Sequence, residues 1–137
     1  MMKITKENLQ QVRTVIFILK KGDKILVEKR SSERKIHPNL TLMPAGKIDD
    51  GETCKDTLMR ETYEELNIRP QNYKYIGRKT EEHQRWKIKG FYYLITEWTG
   101  NIKNSEAEKL IWIDRKHIDI LDSEYDKKMA ERAFNMV

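Results

Sequence analysis

Apolar residues along the chain fall into short blocks, and the spacing within each block predicts either a strand or a helix. The predicted strands are residues 12–19, 24–29, 40–43, 73–78, 86–98 and 109–113. Residues 20–23 form a polar turn between the first two strands, which predicts a hairpin. The polar stretch 31–39 and the glycine-containing stretch 45–52 are expected to be loops.

Two segments have helical spacing. Thr53 can act as the N-cap of a helix over 53–66, with Asp56 completing a capping box. Asn67 can adopt the left-handed conformation that ends such a helix. A second helix is predicted over 123–134. Because strands and helices alternate along the chain, the fold class is α/β or α+β with a mixed sheet, and 137 residues correspond to a single domain over 1–137.

Composition restricts the expected cellular compartment and the expected partners of the protein. No apolar run approaches the roughly 20 residues of a membrane span, and residues 1–7 lack the apolar core of a secretory signal. Cys54 is the one cysteine, so no internal disulfide or multi-cysteine zinc site is expected, and the three histidines are isolated. These features predict a cytoplasmic protein without a membrane partner. The net charge of +5 favours anionic partners such as phosphates or nucleic acid, although extra surface lysine also explains it.

Three carboxylates cluster on the first predicted helix. Glu61, Glu64 and Glu65 fall within an arc of roughly 100° at helical spacing. Like charges four residues apart repel, and the C-terminal half of a helix disfavours anions. A hard divalent cation, Mg²⁺ or Mn²⁺, would relieve both effects. The alternative is an acidic surface paired with lysines, which is common on solvated helices.

The residues around this cluster distinguish the two interpretations. Residues 46–68 resemble the Nudix box, G-x5-E-x7-R-E-U-x-E-E-x-G-U, in which U is aliphatic. The matching positions are Gly46, Glu52, Arg60, Glu61, Glu64, Glu65 and Ile68. Thr62 stands where an aliphatic residue is usual, and Asn67 where glycine is usual. The chain is therefore identified as a member of the Nudix hydrolase family, which implies an α/β/α sandwich with a central mixed sheet.

The resemblance also assigns roles to the motif residues. It implies that Glu52 and Arg60 form an internal salt bridge, and that Glu61, Glu64 and Glu65 bind metal or activate water. The glycine loop at Gly46 would let the backbone approach a charged substrate closely.

Outside the box, the chain is similar to the MutT-like nucleoside triphosphate pyrophosphohydrolases. Trp98, Thr99 and Gly100 match a turn of that branch. The likeness implies that a loop glutamate, Glu106 or its rival Glu108, and the carbonyl of Ala45 also bind the metal.

Substrate contacts are expected from the basic residues and from the second helix. Arg30 and Lys47 are the favoured phosphate ligands, whereas Arg34 and Lys35 are expected to be solvated loop charges. Ser123 occupies, by approximate alignment, the place where the branch reads the base. A single hydroxyl cannot make the paired contacts of an amide, so modest base discrimination is expected.

The implied reaction is hydrolysis of a nucleoside diphosphate linked to another group, most simply a nucleoside triphosphate cleaved to monophosphate and pyrophosphate. A water attacks phosphorus in line, and a glutamate takes its proton, with Glu61 favoured, then Glu64, then a loop glutamate. Alternative substrates are ADP-ribose or ADP-sugars, dinucleoside polyphosphates and capped RNA. A non-enzymatic module that binds nucleotides or RNA ends is the alternative class. The expected partner is a small nucleotide, with nucleic acid less favoured, and the expected state is a monomer or homodimer.

Overall fold

The computed structural model describes residues 9–83 and 85–136, so the segment 1–7 considered above lies outside the described residues. The strands are β1 Gln10–Lys21, β2 Lys24–Lys29, β3 Thr41–Leu42, β4 Ala45–Lys47, β5 Arg69–His83, β6 Trp86–Thr99 and β7 Lys109–Asp114. The helices are α1 Cys54–Leu66 and α2 Glu124–Asn135, and a kinked 3₁₀ segment, Arg115–Ile120, joins β7 to the last helix. No described helix has the length and apolar character needed to cross a membrane.

The sheet is mixed, as predicted. Its strand order is β3-β2-β1-β6-β5, with β4 paired to β1 and β7 paired to β2. Strand β1 runs parallel to β6 and antiparallel to β2, so the predicted hairpin is present. The β5–β6 pair is antiparallel and contains register shifts between Pro70 and Asn72 and between Tyr75 and Gly77.

The two helices cover opposite faces of β1 and β6, which gives the expected α/β/α sandwich. On one face, Val15 and Phe17 join a buried cluster with Leu58 and Leu66 of α1. On the other face, Ile16 joins a second cluster to which α2 contributes Met129, Ala130 and Ala133. Consecutive residues of β1 therefore point into different cores, which explains its uninterrupted apolar run.

The ends of α1 are formed as the sequence indicates. The Thr53 side chain accepts from the Asp56 amide at 3.1 Å, and Asp56 accepts from the Thr53 amide at 3.0 Å. Asn67 is left-handed, with φ 60° and ψ 34°. Thr62 is fully buried, and its hydroxyl donates to the Leu58 carbonyl at 2.6 Å. An aliphatic position thus accepts threonine because the helix backbone satisfies the hydroxyl group.

Three local predictions need correction. Residues 45–52 are not wholly a loop, because Ala45–Lys47 forms β4 and pairs with Thr14–Ile16 of β1. Strand β5 begins at Arg69 and reaches His83, well beyond the predicted residues 73–78, because its partner β6 continues along its whole length. The 3₁₀ segment at Arg115–Ile120 had no prediction.

Candidate active site

A cavity of about 460 Å³ brings the α1 carboxylates together with residues from the sheet, the 31–40 loop and α2. Its acidic lining includes Glu61, Glu64 and Glu65 of α1 and Glu106 of the loop before β7. Val12, Trp86 and Ile88 contribute apolar lining from β1 and β6. This volume falls within the range of about 300–1,000 Å³ that is usual for small-molecule sites.

Arg60 and Glu52 form the predicted ion pair. The Arg60 Nε donates to Glu52 Oε2 at 2.8 Å, and Nη2 donates to Oε1 at 2.8 Å. The Thr57 hydroxyl and the Asp49 amide each donate to Glu52 Oε1 at 3.0 Å. The hydrogen bonds from Arg60 are the main reason that the pKa of Glu52 falls to about 2. Glu52 is therefore firmly ionised and committed to holding Arg60.

The same guanidinium connects β4 to the carboxylates. Arg60 Nη2 donates to the Lys47 carbonyl at 2.9 Å, while Nη1 donates to Glu61 at 2.7 Å and to Glu64 at 3.2 Å. Burial raises the pKa of Glu61 above its ordinary value, although the Arg60 hydrogen bond opposes this shift. Arg60 thus sets both the position and the charge balance of the acidic residues beside it.

Gly46 contributes to this geometry through its lack of a side chain. A Cβ at position 46 would overlap the Glu61 side chain, so β4 can lie against α1 only with glycine here. Gly46 also lines the cavity. The close approach to Glu61 is a reason for glycine that sequence reasoning missed, and approach of the backbone to a charged substrate stays a prediction.

Glu65 and Glu28 form the buried part of the acidic cluster. Glu65 is 7% exposed, and its pKa rises to about 9, mainly through burial and then through the nearby charges of Glu28, Glu61 and Glu106. Glu28 of β2 is 3% exposed, and its Oε1 has no hydrogen-bond partner. Sequence reasoning missed Glu28, although a glutamate that continues the buried run Ile25–Val27 was a detectable anomaly.

Two arginines of the 30–34 region reach the cavity. Arg30 donates from Nε and Nη2 to the Ile36 carbonyl at 3.2 and 3.0 Å, which fixes the loop over the site. Arg34 contacts Glu106 at 3.0 Å and Glu65 at 3.8 Å. The expectation that Arg34 is a solvated loop charge was therefore wrong, because it turns inward to the buried carboxylates. Lys35 and Lys47 also line the cavity.

The loop glutamates differ in their surroundings. Glu106 lines the cavity, whereas Glu108 contacts Lys29 at 3.7 Å and is not among the described lining residues. Ala45, whose carbonyl was expected to contribute a ligand, lines the cavity from β4. The structure thus brings Glu61, Glu64, Glu65, Glu106 and Ala45 to one cavity.

Ser123 is not placed in this cavity. Its hydroxyl accepts from the Asp126 amide at 3.2 Å and caps α2, and it is not among the described residues that line the cavity. Asp126, one turn further along, lines the cavity and is 2% exposed. Its carboxylate accepts from the Tyr92 hydroxyl at 2.5 Å and from the Met43 amide at 2.9 Å. Burial raises its pKa, and the charge of Lys79 opposes that shift.

A second polar group stands beside Asp126. Lys79 is buried and contacts Glu81 at 3.0 Å, and His37 Nε2 lies 3.3 Å from the same oxygen of Glu81. The hydrogen bond to His37, with a smaller contribution from Lys79, lowers the pKa of Glu81 to about 2. All three side chains line the cavity, and none was identified as a site residue from the sequence.

The sequence and the fold of this chain were compared with those of known proteins. The NUDIX domain model matches residues 9–133. An 8-oxo-dGTP diphosphatase of Haemophilus influenzae is 34% identical over 76 residues, which cover 56% of each chain, so this alignment spans little more than half of that relative. An 8-oxo-dGTP diphosphatase of Buchnera aphidicola is 29% identical over 105 residues, or 77% of this chain and 78% of the relative. The crystal structure of a MutT protein from Methanosarcina mazei superposes with a TM-score of 0.78 at 19% identity, covering 91% of this chain and 94% of the other, and so shares its fold.

Proposed function

Because this chain belongs to the NUDIX domain family, we propose that it hydrolyses nucleoside triphosphates to nucleoside monophosphates and pyrophosphate. The observation that carries the proposal is the cavity in which carboxylates on α1 face basic residues from the 30–47 region, with Asp126 also in its wall. The names of the Haemophilus and Buchnera relatives, both 8-oxo-dGTP diphosphatases, support the same substrate class.

The acidic cluster has the chemistry of a site for a hard divalent cation. Its donors are oxygens alone, and Glu28 Oε1 is a buried carboxylate oxygen without a hydrogen-bond partner. Among the described residues, no three His, Cys, Asp or Glu side chains already stand at ligating spacing, because Arg60 and Arg34 hold the carboxylates. Cation binding would compete with those contacts.

We assign the metal-holding role to Glu61, Glu64, Glu65, Glu106 and the carbonyl of Ala45, and we propose Mg²⁺ or Mn²⁺ as the ion. The bound ion would supply Lewis-acid catalysis, which neutralises phosphate charge and acidifies a water molecule. The protein's own contribution is the anchoring of α1 to β4 by Arg60, which fixes where these oxygens stand.

Basic side chains on the cavity wall would bind the phosphates. Arg30 and Arg34 are half-buried, and the two hydrogen bonds to the Ile36 carbonyl hold the Arg30 guanidinium in place. Lys47 is exposed at the end of β4 and is free to follow a phosphate chain. Arginine is suited to paired contacts with phosphate oxygens, and lysine acts as a mobile point charge.

Glu61 is the best placed general base. It is half-buried, lines the cavity and lies beside Glu64, so one of its oxygens can accept a proton from a water molecule held there. In the proposed step, a water oxygen bonds to phosphorus, the bridging P–O bond breaks to release pyrophosphate, and the water proton passes to Glu61. Glu52 stays outside this transfer because its pKa of about 2 makes it a poor base.

Asp126 is the residue that we expect to read the base. An ionised carboxylate only accepts hydrogen bonds, so it complements a base edge with neighbouring donors. The N1–H and 2-amino groups of guanine form such an edge, whereas adenine presents an acceptor beside its amino group. Burial raises the pKa of Asp126, and the charge of Lys79 opposes that shift and so supports the acceptor form. Trp86 offers an aromatic wall in the same cavity. We propose Asp126 in place of Ser123 because Asp126 lines the cavity, and the weak discrimination expected from Ser123 stays an alternative outcome of the screen.

The direct test is a substrate screen in Mg²⁺ that measures monophosphate and pyrophosphate release from guanosine, oxidised deoxyguanosine, cytidine and adenosine triphosphates, with ADP-ribose in parallel. We expect turnover of triphosphates and loss of that turnover in Glu64→Gln. Cleavage of ADP-ribose without triphosphate turnover would assign the cavity to nucleotide sugars instead. Nucleotide binding without turnover of any substrate would support the non-catalytic module.

A further inference from the structure

The sheet has a second chemically distinctive surface on the face opposite the cavity. Along β6, Ile88, Gly90 and Tyr92 are buried on the side of α2, and Tyr92 contacts Asp126 there. The alternating residues of β6 point to the other face, the side of α1. In the N-terminal half of β6, the residues on this other face are Lys87, Lys89 and Phe91, and each of them is at least partly exposed.

Strand register adds neighbours to this surface. Arg13 of β1 pairs with Lys89, and Arg78 of β5 pairs with Phe91. Paired residues on adjacent strands point to the same face, so these basic side chains surround the Phe91 ring. The Arg13 guanidinium lies 5.8 Å from the centre of that ring, which agrees with this assignment.

Tyrosines continue the surface towards α1. Tyr75 pairs with Tyr93 in register, and their rings meet edge to face with centres 5.7 Å apart. The ring centres of Tyr73 and Tyr93 are 6.5 Å apart, with the two rings tilted against each other. Tyr75 is 46% exposed, whereas Tyr73, Phe91 and Tyr93 are partly buried against the core cluster of α1. Tyr75 is therefore the ring of this surface that is most available to a partner.

We propose that this surface binds single-stranded nucleic acid. We call it the basic aromatic face and define it as Arg13, Tyr73, Tyr75, Arg78, Lys87, Lys89, Phe91 and Tyr93. Aromatic rings on a sheet stack against unpaired bases, and neighbouring arginine and lysine side chains contact the phosphates. Glu82, the register partner of Lys87, is an acidic residue at its border.

Charge complementarity selects this occupant over two others. A second copy that docked through the same face would bring Arg13, Arg78, Lys87 and Lys89 against their own counterparts, and these like charges would repel. Duplex nucleic acid could use the basic side chains but would leave the rings without unpaired bases to stack on. Single strands, of RNA or DNA, satisfy both the rings and the charges.

Because the face lies on the other side of the sheet from the cavity, its binding can be measured apart from turnover. The probe is a 12-nucleotide strand with a 5′-hydroxyl end, as RNA and as DNA, titrated at 50 mM salt in EDTA and followed by fluorescence anisotropy. Arg13→Glu combined with Lys89→Glu should weaken binding at least tenfold. It should also reduce the slope of log K against log salt by about 1.4, since each phosphate contact contributes about 0.7 for single strands.

Tyr75→Ala tests stacking separately from charge. It should weaken binding of the single strand by about fivefold or more and leave the salt slope unchanged. The charge-matched control is Lys116→Glu combined with Lys128→Glu, two exposed residues remote from this face in the fold. All variants should keep wild-type triphosphate turnover, so failure here is distinguishable from failure of the proposed hydrolase activity.

Three outcomes would overturn the proposal. The first is that the wild-type protein does not bind the single strand at 50 mM salt. The second is that the control pair loses as much affinity as the Arg13→Glu and Lys89→Glu pair, and the third is that a blunt duplex binds as tightly as the single strand, with an affinity that Tyr75→Ala leaves unchanged. The last two would reveal general attraction of a basic protein to a polyanion. A preference between the RNA and DNA probes would identify which single strand the face takes.

Discussion

Arg60 and Glu52 are joined by two hydrogen bonds of 2.8 Å, from Nε to Oε2 and from Nη2 to Oε1. This pair fixes the guanidinium whose remaining nitrogen, Nη1, reaches Glu61 at 2.7 Å. Glu52 therefore affects the proposed chemistry indirectly, because it positions Arg60, which in turn contacts Glu61. Its substitution should disturb the position of the carboxylates without removing a ligand or a base.

The first prediction concerns this indirect role. Glu52→Gln should lower the melting temperature and kcat, but the loss in kcat should be smaller than for Glu64→Gln. Asp49→Asn is a matched control, because Asp49 contacts Arg60 at 3.3 Å from an exposed position and should be nearly silent. A loss in kcat as deep as that of Glu64→Gln, at unchanged melting temperature, would instead mean that Glu52 takes part directly.

The same pair predicts an acid-dependent stability difference. The folded-state pKa of Glu52, about 2, lies below its ordinary value of 4.5. Its stabilising contribution should therefore be fully present above pH 4.5 and be lost as the pH falls towards 2. The difference in melting temperature between wild type and Glu52→Gln should shrink over that range. A difference that stays constant down to pH 2 would contradict the assignment.

The second prediction is that the acidic residues of the cavity hold the cation. EDTA should abolish turnover. Glu64→Gln should lower kcat/KM by a factor that corresponds to several kcal/mol of transition-state stabilisation, while stability changes little because the contact of Glu64 with Arg60 is half-exposed. Glu106→Gln should show a similar loss, whereas Glu108→Gln should keep wild-type activity. Isothermal titration with Mn²⁺ measures ion binding without substrate. Full activity in excess EDTA, or equal losses at 106 and 108, would contradict this assignment.

The sequence predicted the site residues whose roles depend on neighbours nearby in the chain, and it failed for residues whose roles depend on distant segments. The caps of α1 follow from the local sequence, and the motif resemblance over residues 46–68 implied the Glu52–Arg60 pair; each formed as predicted. Glu28 and Arg34 could not be assigned, because burial of one and inward orientation of the other depend on contacts with α1 and the loop at Glu106. Such contacts join segments distant in the chain.

The start of α2 shows a different kind of failure. Alignment near a helix end is good only to a residue or two, and one turn separates the capping residue Ser123 from the inward-facing Asp126. Helical spacing does place Asp126 on the same stripe as Met129 and Ala130, which are buried. An aspartate within an apolar stripe was therefore the available clue to the cavity residue.

The third prediction uses the unusual pKa of Glu65. Its folded-state value of about 9 is above the ordinary 4.5, so the folded protein retains a proton that the unfolded chain releases. In EDTA, stability should fall as pH rises from 4.5 towards 9, with a slope of up to about 1.4 kcal/mol per pH unit. Glu65→Gln should reduce this dependence, of which Glu28 and Glu61 keep a part because burial raises their pKa values too, and it should unfold at a higher temperature than wild type at pH 8.

Thermal unfolding of both proteins between pH 4 and pH 9, in EDTA, measures this difference. Glu108→Gln is the control, because it removes an exposed glutamate and should follow the wild-type curve. If Glu65→Gln and wild type lose stability in parallel as the pH rises, the burial of a protonated Glu65 is not the cause.

The last prediction concerns base choice. With Asp126 as the hydrogen-bond acceptor at the base edge, kcat/KM for guanosine triphosphate should exceed that for adenosine triphosphate by more than about a hundredfold, since buried polar groups reject a mismatched edge strongly. Asp126→Asn should reduce this preference, because an amide presents one donor and one acceptor and no longer matches two donors. The amide oxygen can still accept from the Met43 amide, so the fold should persist.

Ser123→Ala is the matched control at the same helix start. It should cost about 0.5–2 kcal/mol of stability through the lost cap and leave the preference intact. A change in base preference in Ser123→Ala, with none in Asp126→Asn, would return the reading role to the capping residue.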